Sequence, residues 1–239
     1  MIKITDLTKR FGNFTAVDEL NIQIKPGEFY GILGPNGAGK TTTIKMMSGM
    51  FTPTSGTISI NGHDMQRDPT EAKRCTGYIP DQPFLYEKLT GREFLHFSAG
   101  LYSMNHGRTT ERIAHLAELF EIESWIDRRT EYYSQGMRQR IVIASGLLHE
   151  PKALVIDEPM VGLDPRSVHI VKSVLKQKSN EGVAIFMSTH SLTVAEELCD
   201  RVGILKHGKL IFEDSIGALQ LLKVKHNGKF ESLFLELTK

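Results

Sequence analysis

One short segment holds the residues best suited to phosphate chemistry. It fits the pattern G-x-x-x-x-G-K-[ST], in which glycines let backbone N–H groups close around a phosphate group. The lysine can reach the outer phosphates of a nucleotide, and the hydroxyl after it can meet Mg²⁺. An apolar stretch at residues 29–33 precedes the segment and a helical pattern follows it, which is the context that the pattern requires. The segment consists of Gly34, Pro35, Asn36, Gly37, Ala38, Gly39, Lys40, Thr41 and Thr42.

Two carboxylates follow a second apolar stretch. Residues 153–156 read ALVI, typical of a strand buried in a parallel sheet, and Asp157 and Glu158 come directly after them. Asp157 is predicted to hold Mg²⁺ through its water shell, and Glu158 to act as general base on the attacking water. A pair of solvated acids at a strand end is the alternative, and the phosphate-binding pattern makes it the weaker one.

Three further features have both a structural and a functional interpretation. Ser134 can cap a helix, and the same helix start, with Gly136 allowing close approach, can bind the γ-phosphate of a nucleotide. Asp164 with Pro165 after it also forms a normal helix start, and capping explains this pair about as well as a role of Asp164 in nucleotide binding does. A lone histidine at a strand end, such as His190 after the strand pattern at 183–187, is more often structural than catalytic. This strand is predicted to neighbour the acidic one, however, so His190 can contact a γ-phosphate.

Composition limits the class of protein. The chain has 239 residues, of which 24% are charged and 40% hydrophobic, as in an ordinary soluble globular protein. A net charge of +1 argues against a nucleic-acid binder held by bulk electrostatics. Cys75 and Cys199 stand far apart, which favours a reduced, cytosolic interior. The N-terminus lacks the apolar segment of a signal peptide, and no apolar run approaches the ~18 residues of a spanning helix. A role at a membrane would therefore need spanning segments from a partner.

The elements alternate between strands and helices. Strand patterns occur at 2–5, 20–24, 57–60, 153–156, 183–187 and 202–205, with a hairpin-type turn at Asn61 and Gly62. Helical spacing occurs at 42–50, 90–101, 110–120, 134–148, 166–178 and 192–199. The middle block of helices is predicted to be an insertion within an α/β core.

The order of these motifs resembles the ATP-binding subunit of an ABC transporter. The order is the phosphate loop at 34–42, a signature at 133–139, the acidic strand at 154–158, residues 162–165 and then His190. The resemblance covers residues 2–212 and implies one ABC-type ATPase domain. It implies an α/β P-loop NTPase core at 1–83 and 151–220 with an antiparallel β side sheet, a helical subdomain at 84–150, and a C-terminal segment at 221–239 of unclear role.

The resemblance also implies the cofactors and partners. ATP with Mg²⁺ would be enclosed in a head-to-tail dimer, homo- or heterodimeric, between the P-loop of one subunit and Ser134 and Gly136 of the other. An integral membrane permease would be the working partner, placing the chain at the cytoplasmic face of the membrane, and no nucleic acid is expected. Phe11 matches the aromatic that stacks on adenine, and an ordinary core phenylalanine is the alternative.

The sequence departs from the family pattern in two places. The signature normally reads S-G-G-Q, and here Gln135 replaces a glycine and Met137 replaces the glutamine. The lid glutamine of the family commonly follows a proline directly, but that position is Asp81, with Gln82 one residue later. Either could meet the Mg²⁺ shell, and the residue types slightly favour Gln82.

Transport is the favoured function, and export is favoured by the resemblance of residues 85–94 to two-component exporters. The alternative is a soluble ABC-type ATPase that acts on ribosomes or DNA. ABC-type translation factors usually carry two cassettes in one chain, whereas this chain has one. ABC-type ATPases that act in DNA repair or on chromosomes insert a long coiled coil, and this chain lacks the sustained heptads of a coiled coil. An inactive regulator is disfavoured because Lys40, Asp157, Glu158 and His190 are all present.

Overall fold

The structure is a computed structural model that describes residues 1–225 of the 239-residue chain. Residues 226–239, which form most of the predicted C-terminal segment at 221–239, lie outside the described residues. Within the described part, the strands in chain order are β1 (Ile2–Phe11), β2 (Phe14–Ile24), β3 (Phe29–Leu33), β4 (Ser55–Ile60), β5 (His63–Asp64), β6 (Thr76–Ile79), β7 (Ala153–Asp157), β8 (Ala184–Ser188), β9 (Arg201–Lys206) and β10 (Lys209–Ser215). The α-helices there are α1 (Lys40–Met47), α2 (Pro69–Arg74), α3 (Gly91–Leu101), α4 (His106–Leu119), α5 (Gln135–Leu147), α6 (Pro165–Asn180), α7 (Leu192–Leu198) and α8 (Ile216–Lys225).

A six-stranded sheet in the order β10-β9-β3-β8-β7-β6 forms the centre of the fold. Its strands pair in parallel except β10, which is antiparallel to β9. Every residue of β3, β7 and β8 is buried, because helices or another sheet cover both faces of a parallel sheet. The carboxyl ends of parallel strands share one edge, so the polar residues that follow β3, β7 and β8 meet there.

A second, antiparallel sheet in the order β2-β1-β4-β5 lies beside the first. In β1, Ile2 and Ile4 are buried and Lys3 is exposed, the alternation of a sheet with one covered face. Between β4 and β5, Asn61 (φ 51°) and Gly62 (φ 91°) make the turn in left-handed backbone conformations that suit these two residue types. The predicted antiparallel side sheet is therefore confirmed.

Helices fill the chain between positions 84 and 150, all of which the structure describes, and this stretch contains no β-strand. α3 begins with a capping box, in which the Thr90 side chain accepts from the Glu93 N–H and the Glu93 carboxylate accepts from the Thr90 N–H. Asn105 caps α4 and Ser134 caps α5 through their side-chain oxygens. None of the helices in residues 1–225 has both the length and the apolar character needed to cross a bilayer.

The central sheet separates two hydrophobic cores. In β7, Leu154 and Ile156 pack with the helical block, whereas Ala153 and Val155 pack with the antiparallel sheet on the opposite face. β8 divides its side chains in the same way. The central strands are thus held from both sides, which fixes the edge where the candidate site lies.

Candidate functional site

A cavity of about 380 Å³ opens at the carboxyl edge of the central sheet. It lies where the ends of β3, β7 and β8 and the start of α1 meet. The predicted site residues that line it are Asn36, Gly37, Ala38, Gly39, Lys40, Thr41, Thr42, Asp81, Asp157, Glu158 and His190. The predicted site residues that do not line it are Phe11, Gly34, Pro35, Gln82, Ser134, Gly136 and Asp164.

Backbone geometry explains the glycines of the phosphate loop. Gly37 (φ 80°) and Gly39 (φ 110°) both adopt conformations that disfavour a side chain. A Cβ at Gly39 would also lie 2.4 Å from the carbonyl oxygen of Ala16. α1 begins at Lys40 directly after this turn, and no side chain caps it, so its first N–H groups are free to face an anion in the cavity.

Lys40 folds back over the loop. Its Nζ donates to the carbonyl oxygens of Gly34 at 2.7 Å and Pro35 at 3.2 Å, and only 7% of the residue is exposed. Burial lowers the pKa of Lys40, and the charges of Glu158 and Asp157 oppose that shift. The loop thus holds the Lys40 ammonium group at the cavity wall, where its hydrogen bonds to two backbone carbonyl oxygens fix its position.

Asp157 ends β7 and is 2% exposed. Its carboxylate accepts a hydrogen bond of 2.5 Å from the Ser188 hydroxyl. Burial raises the pKa of Asp157, and hydrogen bonds from Ser188 and Thr41 oppose the shift. The pairing with Thr41 brings together two of the residues that the sequence assigned to Mg²⁺, and both offer the oxygen ligands that this ion prefers.

Glu158 stands next to His190 at the cavity wall. Glu158 Oε2 lies 3.0 Å from His190 Nδ1, and 18% of the Glu158 side chain is exposed. The predicted proximity of the two strands is confirmed, because β7 and β8 pair directly, with Asp157 opposite Ser188. Glu158 has φ 45°, a left-handed conformation that is uncommon for a residue with a side chain. A half-buried acid and an imidazole therefore face the cavity as a pair.

Asp81 rather than Gln82 faces the cavity. Both residues are exposed, but only Asp81 is among the lining residues. The nearby Tyr78 has its pKa raised to about 12 by burial first and then by the charges of Asp157 and Asp81. The position favours Asp81 for the lid role, whereas the residue types slightly favoured Gln82.

Gly136 and Asp164 lie close together away from this cavity, and Ser134 caps the helix that contains Gly136. The Ser134 hydroxyl accepts from the Met137 N–H at 3.3 Å, and Asp164 accepts from the N–H of Ser167 at 2.9 Å, so both residues cap their helices. A Cβ at Gly136 would lie 2.5 Å from Ser167 Oγ and 2.9 Å from Asp164 Oδ2. The glycine is thus needed for α5 to approach the start of α6, whatever else binds there.

Phe11 lies at the turn between β1 and β2, beside the cavity. Its ring packs edge to face on Phe51, with centroids 5.7 Å apart, and 44% of the residue remains exposed. Phe14, paired with Phe11 across the turn, lines the cavity together with Ala16. Sequence reasoning missed Phe14; its aromatic type so close to Phe11 was the available signal.

Sequence comparison finds both a matching family and similar proteins. The family described as ABC transporter matches residues 17–161, more than half of the 239-residue chain. The linearmycin resistance ATP-binding protein LnrL of Bacillus subtilis (strain 168) is 36% identical over 211 residues. That match covers 88% of this chain and 68% of LnrL.

Two solved structures share the fold over most of their length. The structure described as the ATP binding subunit of an ABC transporter has a TM-score of 0.91 at 32% identity and covers 100% of both chains. The dimeric post-hydrolysis structure of the ATP-binding cassette MJ0796, bound to ADP and Pi, has a TM-score of 0.81 at 26% identity. It covers 90% of this chain and 99% of that one.

Proposed function

The chain belongs to the ABC transporter family, and on that premise we propose that it is the ATP-hydrolysing subunit that powers a separate membrane-spanning partner. The observation that carries the proposal is the shared cavity at the carboxyl edge of the sheet. There the phosphate loop, Asp157, Glu158 and His190 all face one space of about 380 Å³. A strand-end acid pair and a phosphate loop that face the same cavity are what nucleotide hydrolysis requires.

ATP is the substrate, with its phosphates against the loop and Lys40. Phe11, exposed at the neighbouring turn, is proposed to stack on the adenine, where any aromatic ring offers a suitable face. The oxygen donors of Thr41, Asp157 and Asp81 fit Mg²⁺, which binds proteins through one or two carboxylates together with substrate phosphates. When bound, the ion would neutralise charge that develops on the phosphates.

The chemistry of the chain's own residues follows from their places. Glu158, facing the cavity, is positioned to take a proton from the attacking water as general base. His190 lies 3.0 Å from the Glu158 carboxylate and also lines the cavity, so it can orient that carboxylate and contact the γ-phosphate. Lys40 supplies the fixed positive charge for the β- and γ-phosphates.

A second subunit is proposed to complete each site. Ser134, Gly136 and Asp164 lie outside the cavity of their own chain, although the helix start capped by Ser134 suits an anion. In a head-to-tail dimer this helix start would cover the phosphate loop of the other subunit. The dimeric form of the related MJ0796 cassette, with ADP and Pi bound, supports this arrangement. Homodimer and heterodimer satisfy the geometry equally.

An exposed aromatic cluster is proposed as the contact with the membrane permease. Tyr86 packs edge to face on both Phe84 and Phe97, and the three residues remain 47%, 70% and 45% exposed, respectively. Such apolar anchors suit a helix docking in a groove. A permease bound here would place the chain at the cytoplasmic face of the membrane. Export is the proposed direction, supported by the resemblance of residues 85–94 to exporters and by the role in linearmycin resistance that its relative LnrL is named for.

No observation favours the alternative of an ATPase that acts on ribosomes or DNA. The proposed function is tested by purifying the chain from native membranes under mild detergent and measuring ATP hydrolysis. We expect an integral membrane protein to co-purify, and its reconstitution with the chain to make hydrolysis respond to a transported compound. Co-purification with ribosomes or DNA, and no membrane partner, would contradict the transport function.

The lid position yields a separate expectation. We expect Asp81→Ala to lower ATP hydrolysis about 10- to 100-fold, because a hydrogen bond to a charged group contributes about 1.5–3 kcal/mol. Gln82→Ala is the matched control, since it removes the exposed neighbour that does not line the cavity, and it should stay within about twofold of the wild type. Steady-state rates at saturating MgATP make the comparison. The reverse order of effects would return the lid role to Gln82.

A further inference from the structure

Ser188 is a fully buried polar residue at the end of β8. Its exposure is 0%, and its register partner across the sheet is Asp157. It is not among the residues that line the cavity. Because its hydroxyl is fully buried and does not line the cavity, we expect any effect of Ser188 on the reaction to pass through its neighbours.

The Ser188 hydroxyl bonds to both acidic residues at once. It donates to Asp157 Oδ1 at 2.5 Å and accepts from the Glu158 backbone N–H at 3.2 Å. The same N–H also reaches the Ser188 carbonyl oxygen at 3.2 Å. One residue therefore fixes the carboxylate of Asp157 and the backbone of Glu158 relative to each other.

The backbone of Glu158 needs such support. Its φ of 45° is a conformation that persists only where surrounding contacts determine it. Ser188 supplies both acceptors of the Glu158 N–H, and His190, two residues further on, lies 3.0 Å from the Glu158 carboxylate. The end of β8 thus holds Glu158 in two ways, through its backbone N–H and through its side-chain carboxylate.

We propose that Ser188 is a positioning residue for ATP hydrolysis, which sets the geometry between the metal-side carboxylate of Asp157 and the general base Glu158. This inference rests on the proposed roles of those two residues. Because Ser188 acts through them, its loss should change turnover and Mg²⁺ dependence while leaving the phosphate loop and its affinity for nucleotide in place. A hydroxyl that only satisfied buried polar groups would change stability alone.

The experiment compares Ser188→Ala, Ser188→Thr and a matched control, Ser179→Ala. Ser179 is also a buried serine, 1% exposed, and its hydroxyl donates to the Gly27 carbonyl oxygen at 2.9 Å, away from the cavity. For Ser188→Ala we expect kcat to fall about tenfold or more, because loss of a residue that orients metal ligands typically costs about 10–100-fold in activity or metal affinity. KM for ATP should stay within about twofold, since the loop contacts remain.

A second measurement does not depend on turnover. Binding of a fluorescent, non-hydrolysable ATP analogue is titrated with Mg²⁺, and the half-saturating Mg²⁺ concentration should rise about tenfold in Ser188→Ala. Ser188→Thr retains the hydroxyl and should restore both kcat and Mg²⁺ dependence toward the wild type. Ser179→Ala should leave both unchanged. Melting temperatures of all variants separate a folding defect from a positioning effect.

The outcomes separate this inference from the proposed function. If Ser188→Ala keeps wild-type kcat and Mg²⁺ dependence while Glu158→Gln is inactive, the positioning role is wrong and the assignment of the base stands. If Ser188→Ala and Ser179→Ala lose activity in equal proportion to their melting temperatures, the hydroxyl has only a structural role. Normal hydrolysis by Glu158→Gln would instead overturn the assignment on which the inference rests.

Discussion

Glu158→Gln is expected to lower ATP hydrolysis about 100-fold or more, because general-base catalysis contributes about 10²–10⁴-fold. The amide keeps the size of the side chain and can still face His190 across the 3.0 Å contact, but it cannot accept a proton from water. Nucleotide binding should persist, since Lys40 and the phosphate loop are untouched. ATP should therefore accumulate in a closed dimer. Single-turnover rates and size-exclusion chromatography with MgATP measure the two effects.

A surface glutamate provides the control for this substitution. Glu123 is exposed after α4 and does not line the cavity, so Glu123→Gln removes the same charge without touching the site. We expect its hydrolysis to stay within about twofold of the wild type. Hydrolysis by Glu158→Gln above a third of the wild-type rate would exclude Glu158 as the base. A slow variant that stays monomeric with MgATP would separate catalysis from dimer closure.

Local signals in the sequence were strong enough to predict most of the core. The apolar run that forms β3 and the alternation in β1 and β4 each carry the period of their element, and the structure reproduces them. The turn at Asn61 and Gly62 was also predictable, because few residue types adopt its backbone conformation. These features depend on residues that are close together in the sequence, so a single sequence is enough to predict them.

Features that depend on distant neighbours were not predictable. β6 was missed because its residues, Thr76–Ile79, form a strand through pairing with β7, which lies far away in sequence. β10 has mixed burial and forms through pairing with β9, so it shows no clear pattern of its own. Ser188 was visible only as a hydroxyl at a strand end. Its contacts with Asp157 and Glu158 follow from the register between β7 and β8.

The proposed site between two subunits yields the second large effect. In the proposed two-fold symmetric dimer, each site would take Lys40 from one chain and Ser134 from the other. Lys40→Ala removes the cation from the phosphates, and Ser134→Asp places a carboxylate where the γ-phosphate would approach. Asp caps a helix as well as Ser does, so the start of α5 should survive. We expect each variant alone to lose nearly all hydrolysis.

Mixing the two inactive variants should restore activity. In a mixed dimer both changes fall in the same site and the other site is intact, so random pairing should recover about a quarter of wild-type hydrolysis. If turnover requires two intact sites, the mixed dimer will not hydrolyse ATP. Its one intact site should still bind ATP, so the same mixture of variants that also carry Glu158→Gln should trap one ATP per mixed dimer. Ser134→Asn, an equally good cap without the charge, should lose far less activity than Ser134→Asp. A mixture no more active than its components, and without trapped ATP, would mean that the helix start capped by Ser134 does not complete the site of a second subunit.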